Sequence, residues 1–294
     1  MNSKQKKILK VLSLVFLMVV LTGCTSNLEK DGTLKAARAI TVDTPWTLSV
    51  GIFDFIFVFP IAKFILFMEK YIGIVASVVL ATVIVNLITL PLMIKSQISS
   101  QKMQMLAPKQ DAIQRKYKGR NDQASQMRMS AELQALYKKN GVSMGASFAP
   151  FLSFPIMIAM WQAVQRIQII YTTNFCGLNL GDTPMAHIKE WPYIVLVAIV
   201  GITQFLSIES NTYFMKKQKG YRPNAAMDQM RYMNIFMIFM IVYMSFVMAS
   251  AMSIYWITTS VISIIRTVYI YYGHTAKIQD DQPKSYLDKK SKKK

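Results

Sequence analysis

VVLATVIVNLITLPLMIKSQ, residues 78–97, decides the fold. Up to Ile94 it is almost pure hydrocarbon, and Lys95 closes it. At about 1.5 Å per residue it crosses most of a bilayer core of about 30 Å. A soluble helix would confine its apolar residues to one face, whereas here they run without a break. The same stretch carries Asn86 near its middle. Thr82 lies one helical turn before it and Thr89 about one turn after, so all three share one helix face. Hydrocarbon penalises such groups, and polar residues at membrane depth face a bundle interior or a hydrated cavity.

Similar runs recur along the rest of the chain. It has 294 residues, is 53% hydrophobic and has a mean hydropathy of +0.29. Runs at about 147–170, 191–207, 232–249 and 254–272 join the one at 73–94 to give five membrane spans. The expected fold is an all-α polytopic membrane protein, with five transmembrane helices around a polar groove and a cytoplasmic helical hairpin. Residues 51–73 are apolar and aromatic but interrupted by Asp54, Pro60 and Lys63. They read as an amphipathic helix at the outer membrane surface. An extra span there would upset the distribution of charge.

The N-terminus reads as a targeting segment. Lys4, Lys6, Lys7 and Lys10 precede an apolar run, which ends in Leu21-Thr22-Gly23-Cys24. This tetrapeptide looks like a bacterial lipobox. Residues 1–23 would be a lipoprotein signal peptide and Cys24 the lipidated, palmitate-bearing N-terminus. The alternative is an uncleaved signal anchor with an incidental cysteine. Cys176 then has no partner, and no disulfide framework is expected.

The charges set the topology. Net charge is +19, from 34 Lys+Arg against 15 Asp+Glu. Residues 95–141 hold ten basic and three acidic residues, a net of +7, in two helical stretches flanking Gly119-Arg120-Asn121, with Asn121 as the expected N-cap of the second. The 208–231 loop and the tail are also basic, whereas 25–57 and 171–190 are close to neutral. Five spans with the N-terminus outside put every basic segment in the cytoplasm. The organisation is therefore a signal peptide (1–23), an extracytoplasmic lipid-anchored segment that reads as a tether (24–57), an interfacial helix and first span (58–94), a basic hairpin (95–146), spans two to five (147–272) and a basic cytoplasmic tail (273–294). The expected location is the bacterial plasma membrane.

Several polar constellations accompany the apolar runs. The last span carries Trp256, Thr259, Ser260, Ser263 and Thr267; Gln162 and Gln165 lie in the second span and Gln204 in the third. Their bland reading is interhelical hydrogen bonding, worth on average about 0.6 kcal/mol per contact in membranes. Met227, Met230, Met233, Met237, Met240, Met244 and Met248 form a seam at helical spacing. It reads as ordinary packing or as a soft surface for varied apolar partners. His187 and His274 have no Cys or carboxylate at ligand spacing, and neither a phosphate-binding loop nor an intramembrane carboxylate occurs. These absences argue against an enzyme, a proton-coupled pump, a metal site or any cofactor.

NLITLPLMIKSQ, then a basic hairpin running into LYKKNGVSMGASFAPFLSFPIMIAMWQAV, then SIYWITTSVISIIRTVYI, resembles the YidC family of membrane protein insertases. The lipobox, the five spans and the short outer segment resemble its Gram-positive members. The resemblance implies a groove open to lipid and cytoplasm, which accepts hydrophilic stretches of nascent membrane proteins without nucleotide hydrolysis. It also implies a groove arginine at the position of Asn86, so this chain lacks that charge. The groove is expected from Asn86, Thr82, Thr89 and Gln162 on one wall and Trp256, Ser260 and Ser263 on the other, with Met233, Met237, Met240 and Met244 touching the client. The basic tail and hairpin would meet the ribosome, anionic lipids would meet the same charges, and the Sec translocon is a further candidate partner. The competing classes are a channel or small-solute transporter and a non-catalytic assembly factor. No internal repeat of the kind transporters use is visible.

Overall fold

The structure, a computed structural model, describes residues 34–120, 122–142, 149–217 and 225–275. The signal segment, Cys24 and most of the tail lie outside the described residues. Helix α1 covers Phe59–Met105 and is entered through a π-helical turn at Asp54–Val58. It is interrupted at Gly73, whose φ of 75° and ψ of 163° are non-helical. Only glycine adopts that region without strain, and no atom lies within 4 Å of where a Cβ would sit. The break is therefore a backbone requirement, not a packing one. Pro91, in the second stretch, removes one helical hydrogen bond.

Helices α2 (Ala107–Lys116) and α3 (Gln123–Lys139) form the hairpin and pack on each other. The N-cap of α3 is Asp122, one residue beyond the expected Asn121, which is outside the described residues. Asp122 Oδ2 accepts from the Ser125 amide at 2.8 Å. Asp and Asn cap equally well, so the sequence alone does not choose between neighbours.

Helix α4 is Ala149–Arg166, with Pro155 inside it. Strands β1 (Asn174–Phe175) and β2 (Leu178–Asn179) pair antiparallel around Cys176 and Gly177, both at positive φ. Helices α5 (Trp191–Lys216), α6 (Ala225–Val247) and α7 (Ser250–Ile270) complete the chain. Among the described residues, Asp54–Met103, Trp191–Lys216 and Ser250–Gly273 are long and apolar enough to cross a membrane. The other two apolar helices are α4 and, shorter, the Arg231–Val247 part of α6. The protein is all-α and built for lipid.

The helices fall into two compact units. One comprises the described residues within Met1–Asn86, Phe151–Ile202 and Phe239–Thr259. Its core joins Val58, Phe59, Ala62 and Ile65 of the first stretch to Ala159, Ala163 and Val164 of α4 and to Ala251 and Met252 of α7. Small residues here let helix backbones approach closely, which membrane helices need because lipid supplies no hydrophobic drive between them. The other unit comprises Leu87–Pro150, Thr203–Ile238 and Ser260–Lys294. It holds the hairpin and the C-terminal ends of α1, α5 and α7.

The segment read as a tether is docked over part of its length. Ile40 is fully buried and makes a parallel bridge to Ile167. Its amide donates to the Arg166 carbonyl at 2.7 Å, and its carbonyl accepts from Gln168 at 3.3 Å. Lys63 Nζ donates to the carbonyls of Thr41, Val42 and Thr44 at 3.1, 2.7 and 2.6 Å. All three ammonium protons are thus used, at a position where a lysine otherwise reads as a solvated charge.

In the same unit, the 178–190 loop is tied to the short connection between α6 and α7. Met185 donates to the Phe246 carbonyl at 2.9 Å, Ser250 to that of Asp182 at 2.9 Å, and Ala251 to that of Leu180 at 3.0 Å. Gly181 is required here, since a Cβ would lie 2.6 Å from the Tyr171 Cα.

Candidate functional site

The polar face of α1 begins as a series of side chains bonded to their own helix. Ser77 Oγ donates to the Gly73 carbonyl at 2.7 Å, Thr82 Oγ1 to Val78 at 2.7 Å and Asn86 Nδ2 to Thr82 at 2.8 Å. A back-bonded hydroxyl or amide satisfies its donor locally at little cost in lipid. Thr82 is fully buried and Asn86 only half-buried. The sequence face is real, but Thr82 spends its hydroxyl proton on its own helix and presents none to a groove.

In the same unit, Gln162 and Gln165 of α4 are buried, and half-buried Trp256 of α7 packs against the core along with Val85. The Trp161 indole N–H is buried with no hydrogen-bond partner. Such a donor is costly in hydrocarbon and marks a place where a polar group or water is wanted.

The second unit is richer in polar contacts between helices. Ser260 of α7, almost fully buried, donates to Gln204 of α5. Gln97 of α1 donates to Asn211 of α5 at 3.5 Å and to Thr267 of α7 at 3.4 Å. Thus α1, α5 and α7 meet through amides and hydroxyls. Ser96, Ser99 and Ser207 are buried in the same unit. Ser263, half-buried, accepts from Arg266 Nη2 at 3.3 Å. Thr89 is half-buried and belongs to this unit.

The expected groove residues therefore divide. Thr82, Asn86, Gln162 and Trp256 belong to one unit, and Thr89, Ser260 and Ser263 to the other. The methionine seam divides as well, with Met240 and Met244 in the first and Met233 and Met237 in the second. Met233 is 55% exposed and Met237 48%, but Phe236 and Phe239 on the same helix are 61% and 68% exposed. Exposure alone does not single out the methionines from a lipid-facing surface. Among the described residues no cluster of His, Cys, Asp or Glu could hold a metal ion.

Sequence reasoning missed four residues. Gln97 and Asn211 flank apolar runs and look like ordinary helix-end polar residues. Arg266 did leave a signal, as the one cation within SIYWITTSVISIIRTVYI. Arg166 was missed as well; its partner Asp54 is 112 residues away.

In the hairpin, Lys116 and Tyr117 of α2's C-terminal end bond Glu132 of α3 at 2.5 and 2.7 Å. Lys116, then Tyr117, hold the Glu132 carboxyl below its ordinary range, and Glu132 raises Lys116 in return. The Asp122 carboxyl is also lowered, first by the Ser125 amide it accepts from. These contacts fix the hairpin while leaving most of its lysines and arginines in solvent.

Residues 66–277 match the model of the family described as 60Kd inner membrane protein. The chain is 30% identical over 269 residues to the membrane protein insertase YidC of Alkalihalophilus pseudofirmus, covering 90% of this chain and 94% of that one. It is likewise 30% identical over 269 residues to the membrane protein insertase MisCA of Bacillus subtilis, covering 90% and 92%. A third relative, the membrane protein insertase YidC of Oceanobacillus iheyensis, is 30% identical over 273 residues.

Proposed function

The chain belongs to the 60Kd inner membrane protein family, that of the YidC-type membrane protein insertases, and we propose that it inserts nascent transmembrane segments by offering their polar stretches a hydrated, hydrogen-bonding path within the helices. The work is differential solvation. A polar stretch costs several kcal/mol in hydrocarbon, and amide and hydroxyl groups part-way across lower that barrier. No nucleotide or cofactor is needed for such a step.

The observation that carries this reading is the polar junction of α1, α5 and α7, in which Gln204, Ser260 and Thr267 of the apolar stretches join Gln97 and Asn211 at their ends. Simple helix glue would satisfy its groups pairwise. Here long amides are joined by contacts at 3.4 and 3.5 Å, at the loose end of hydrogen bonding, which a client's backbone could replace. In the same unit Thr89 and Ser263 extend the polar faces of α1 and α7, and in the other unit Asn86, Gln162 and Trp256 supply polar groups of their own. The methionines of α6 are the soft surface for the client's apolar flank.

Clients are nascent membrane proteins. The basic hairpin and the Lys-rich tail add ribosomal RNA and anionic headgroups as phosphate partners, and the Sec translocon would share clients with it. A lipid-bearing Cys24 outside and a cytoplasmic C-terminus complete the proposed topology in the bacterial plasma membrane.

The test is solvent access at residue 86. In a Cys176→Ser background, Asn86→Cys should react with a membrane-permeant thiol reagent and with a water-soluble one only from the cytoplasmic side. Equal labelling from both sides would indicate a channel. Absence of labelling would indicate a dry helix contact and overturn the hydrated path.

A further inference from the structure

Among the cations carried by the described apolar helices are Lys63, Arg166 and Arg266. Lys63 is saturated by three carbonyls. Arg166 is paired with Asp54 and with the Arg38 carbonyl. Arg266 is different. Its Nε is buried without a partner, and its one hydrogen bond among the described residues is the 3.3 Å contact from Nη2 to Ser263. No carboxylate pairs with it among the described residues.

The ordinary account of an arginine near a helix end is snorkelling, in which the side chain reaches outward along the helix to the polar interface. Arg266 lies seven residues from the Gly273 end of its apolar stretch and sixteen from Ser250. A snorkelling side chain would point toward Gly273. Arg266 instead reaches back to Ser263, one turn toward the middle of the span. Side chains on a helix tilt toward its N-terminus, so this direction is the natural one for α7. It leaves a guanidinium edge at about 10 Å of depth, counted at 1.5 Å per residue from Gly273. A half-buried fork of donors with no carboxylate partner among the described residues is suited to an incoming carboxylate.

We infer that Arg266, seated on Ser263 beside the Ser260–Gln204 contact, receives an acidic side chain of the client's polar segment and so sets which segments this chain inserts. The inference rests on the proposed hydrated path. It places the charge that chooses clients on the last helix, whereas position 86 of α1 is neutral. A client carboxylate would meet the Nη edge of the guanidinium, in place of or beside Ser263, and neutralise the half-buried charge while the segment passes. An uncharged client segment would gain nothing from Arg266.

The experiment uses the full-length protein in liposomes of zwitterionic lipid. The clients are two versions of a single-span protein, with two Asp or two Asn in the short segment to be translocated. Arg266→Gln should lower insertion of the Asp client by roughly fivefold, the upper range for one accessible ion pair, and leave the Asn client unchanged. Arg266→Glu should invert the preference and favour a client with Lys at the same sites. Equal loss for both clients would make Arg266 a structural residue and overturn the inference. If Arg266→Gln fails to accumulate, Ser263→Cys provides a second readout with Arg266 intact. Its cross-linking to a cysteine beside the client's Asp pair should exceed that beside the Asn pair, and equal yields would also overturn the inference. Labelling at residue 86 reports separately on the path. A labelled position 86 with no acid preference removes the role of Arg266 alone, and an unlabelled one removes the path.

Discussion

Arg166 Nη1 meets Asp54 Oδ2 at 2.5 Å, and the same guanidinium donates through Nε to the Arg38 carbonyl at 2.8 Å. The two charged side chains are 5% and 12% exposed. One arginine at the end of α4 thereby holds the docked N-terminal segment and the entry to α1. Removing one partner of a buried pair leaves an uncompensated charge, at a cost of about 3–5 kcal/mol, whereas replacing both with apolar residues is far milder. Asp54→Ala should therefore lower the thermal midpoint in detergent sharply and expose the 34–50 region to protease. The double variant Asp54→Leu, Arg166→Met should recover most of the loss. A single variant as stable as the parent would show that the pair contributes nothing.

Gly73→Ala is expected to cost about 1–3 kcal/mol, because φ 75° with ψ 163° is a conformation L residues avoid. No neighbour would clash with the added methyl. The loss should thus appear in unfolding midpoints without being relieved by shrinking nearby side chains. A neutral Gly73→Ala would mean that the two stretches of α1 can join as one helix.

His187 sits between Glu190 (Nδ1 to Oε1, 2.7 Å) and Asp182 (Nε2 to Oδ2, 3.2 Å) and stacks on Tyr193. Glu190 first, then Asp182, raises its pKa above the usual histidine value. A raised folded-state value means that the stabilisation is full below about pH 6.5, the unfolded value. It is lost as pH rises through the folded value. Amide protection factors across residues 182–190, which remove the intrinsic pH dependence of exchange, should accordingly be higher at pH 5.5 than at pH 8, and His187→Asn should remove the difference. Protection factors that do not change with pH in the native protein would refute the linkage.

Asn86→Arg should be tolerated if the polar face of α1 is hydrated, since the half-buried amide can be replaced by a charge that meets water. In a dry contact an unpaired arginine would cost several kcal/mol, and the protein would be cleared from membranes. Membrane levels of the variant, read beside its insertion of acidic clients, distinguish the two.

Residues 277–294 hold seven Lys and three Asp, a net of +4. Deleting Lys289 to Lys294 should abolish most co-sedimentation with ribosomes in detergent, where anionic lipid is depleted. Unchanged co-sedimentation would assign the tail to the membrane surface and leave the hairpin as the ribosome contact.

The all-helical, membrane-embedded character is legible in the sequence because runs of apolar residues report lipid directly, without reference to neighbours. Lateral contacts are not. Asp54 in an aromatic run reads as an interruption, since nothing local identifies an arginine 112 positions on as its partner. Ile40 carries no periodic signal because its two backbone bonds go to Arg166 and Gln168 on another element. The polar faces were visible at the level of spacing, as with Thr82 and Asn86. Whether such a group bonds its own helix, as Thr82 does, or another, as Ser260 does, depends on rotamer and neighbour and leaves no trace in composition. Arg266 was legible as an isolated cation, but its direction along the helix was not.

The stitching of the 178–190 loop to the α6–α7 connection has a consequence for how this region can vary. All three bonds, from Met185, Ser250 and Ala251, run between backbone groups. The Met185 side chain is exposed and can drift without touching the seam, whereas Ser250 adds a side-chain bond to the Asp182 carbonyl at 2.8 Å and Ala251 is packed in the core, so mutational scanning should find Met185 permissive to most exchanges. Proline is the exception, because it deletes the donor itself. A scan in which Met185→Pro, Ser250→Pro and Ala251→Pro fail while polar and apolar exchanges at Met185 pass would reveal a closure encoded by main-chain geometry and nearly invisible to selection on residue type.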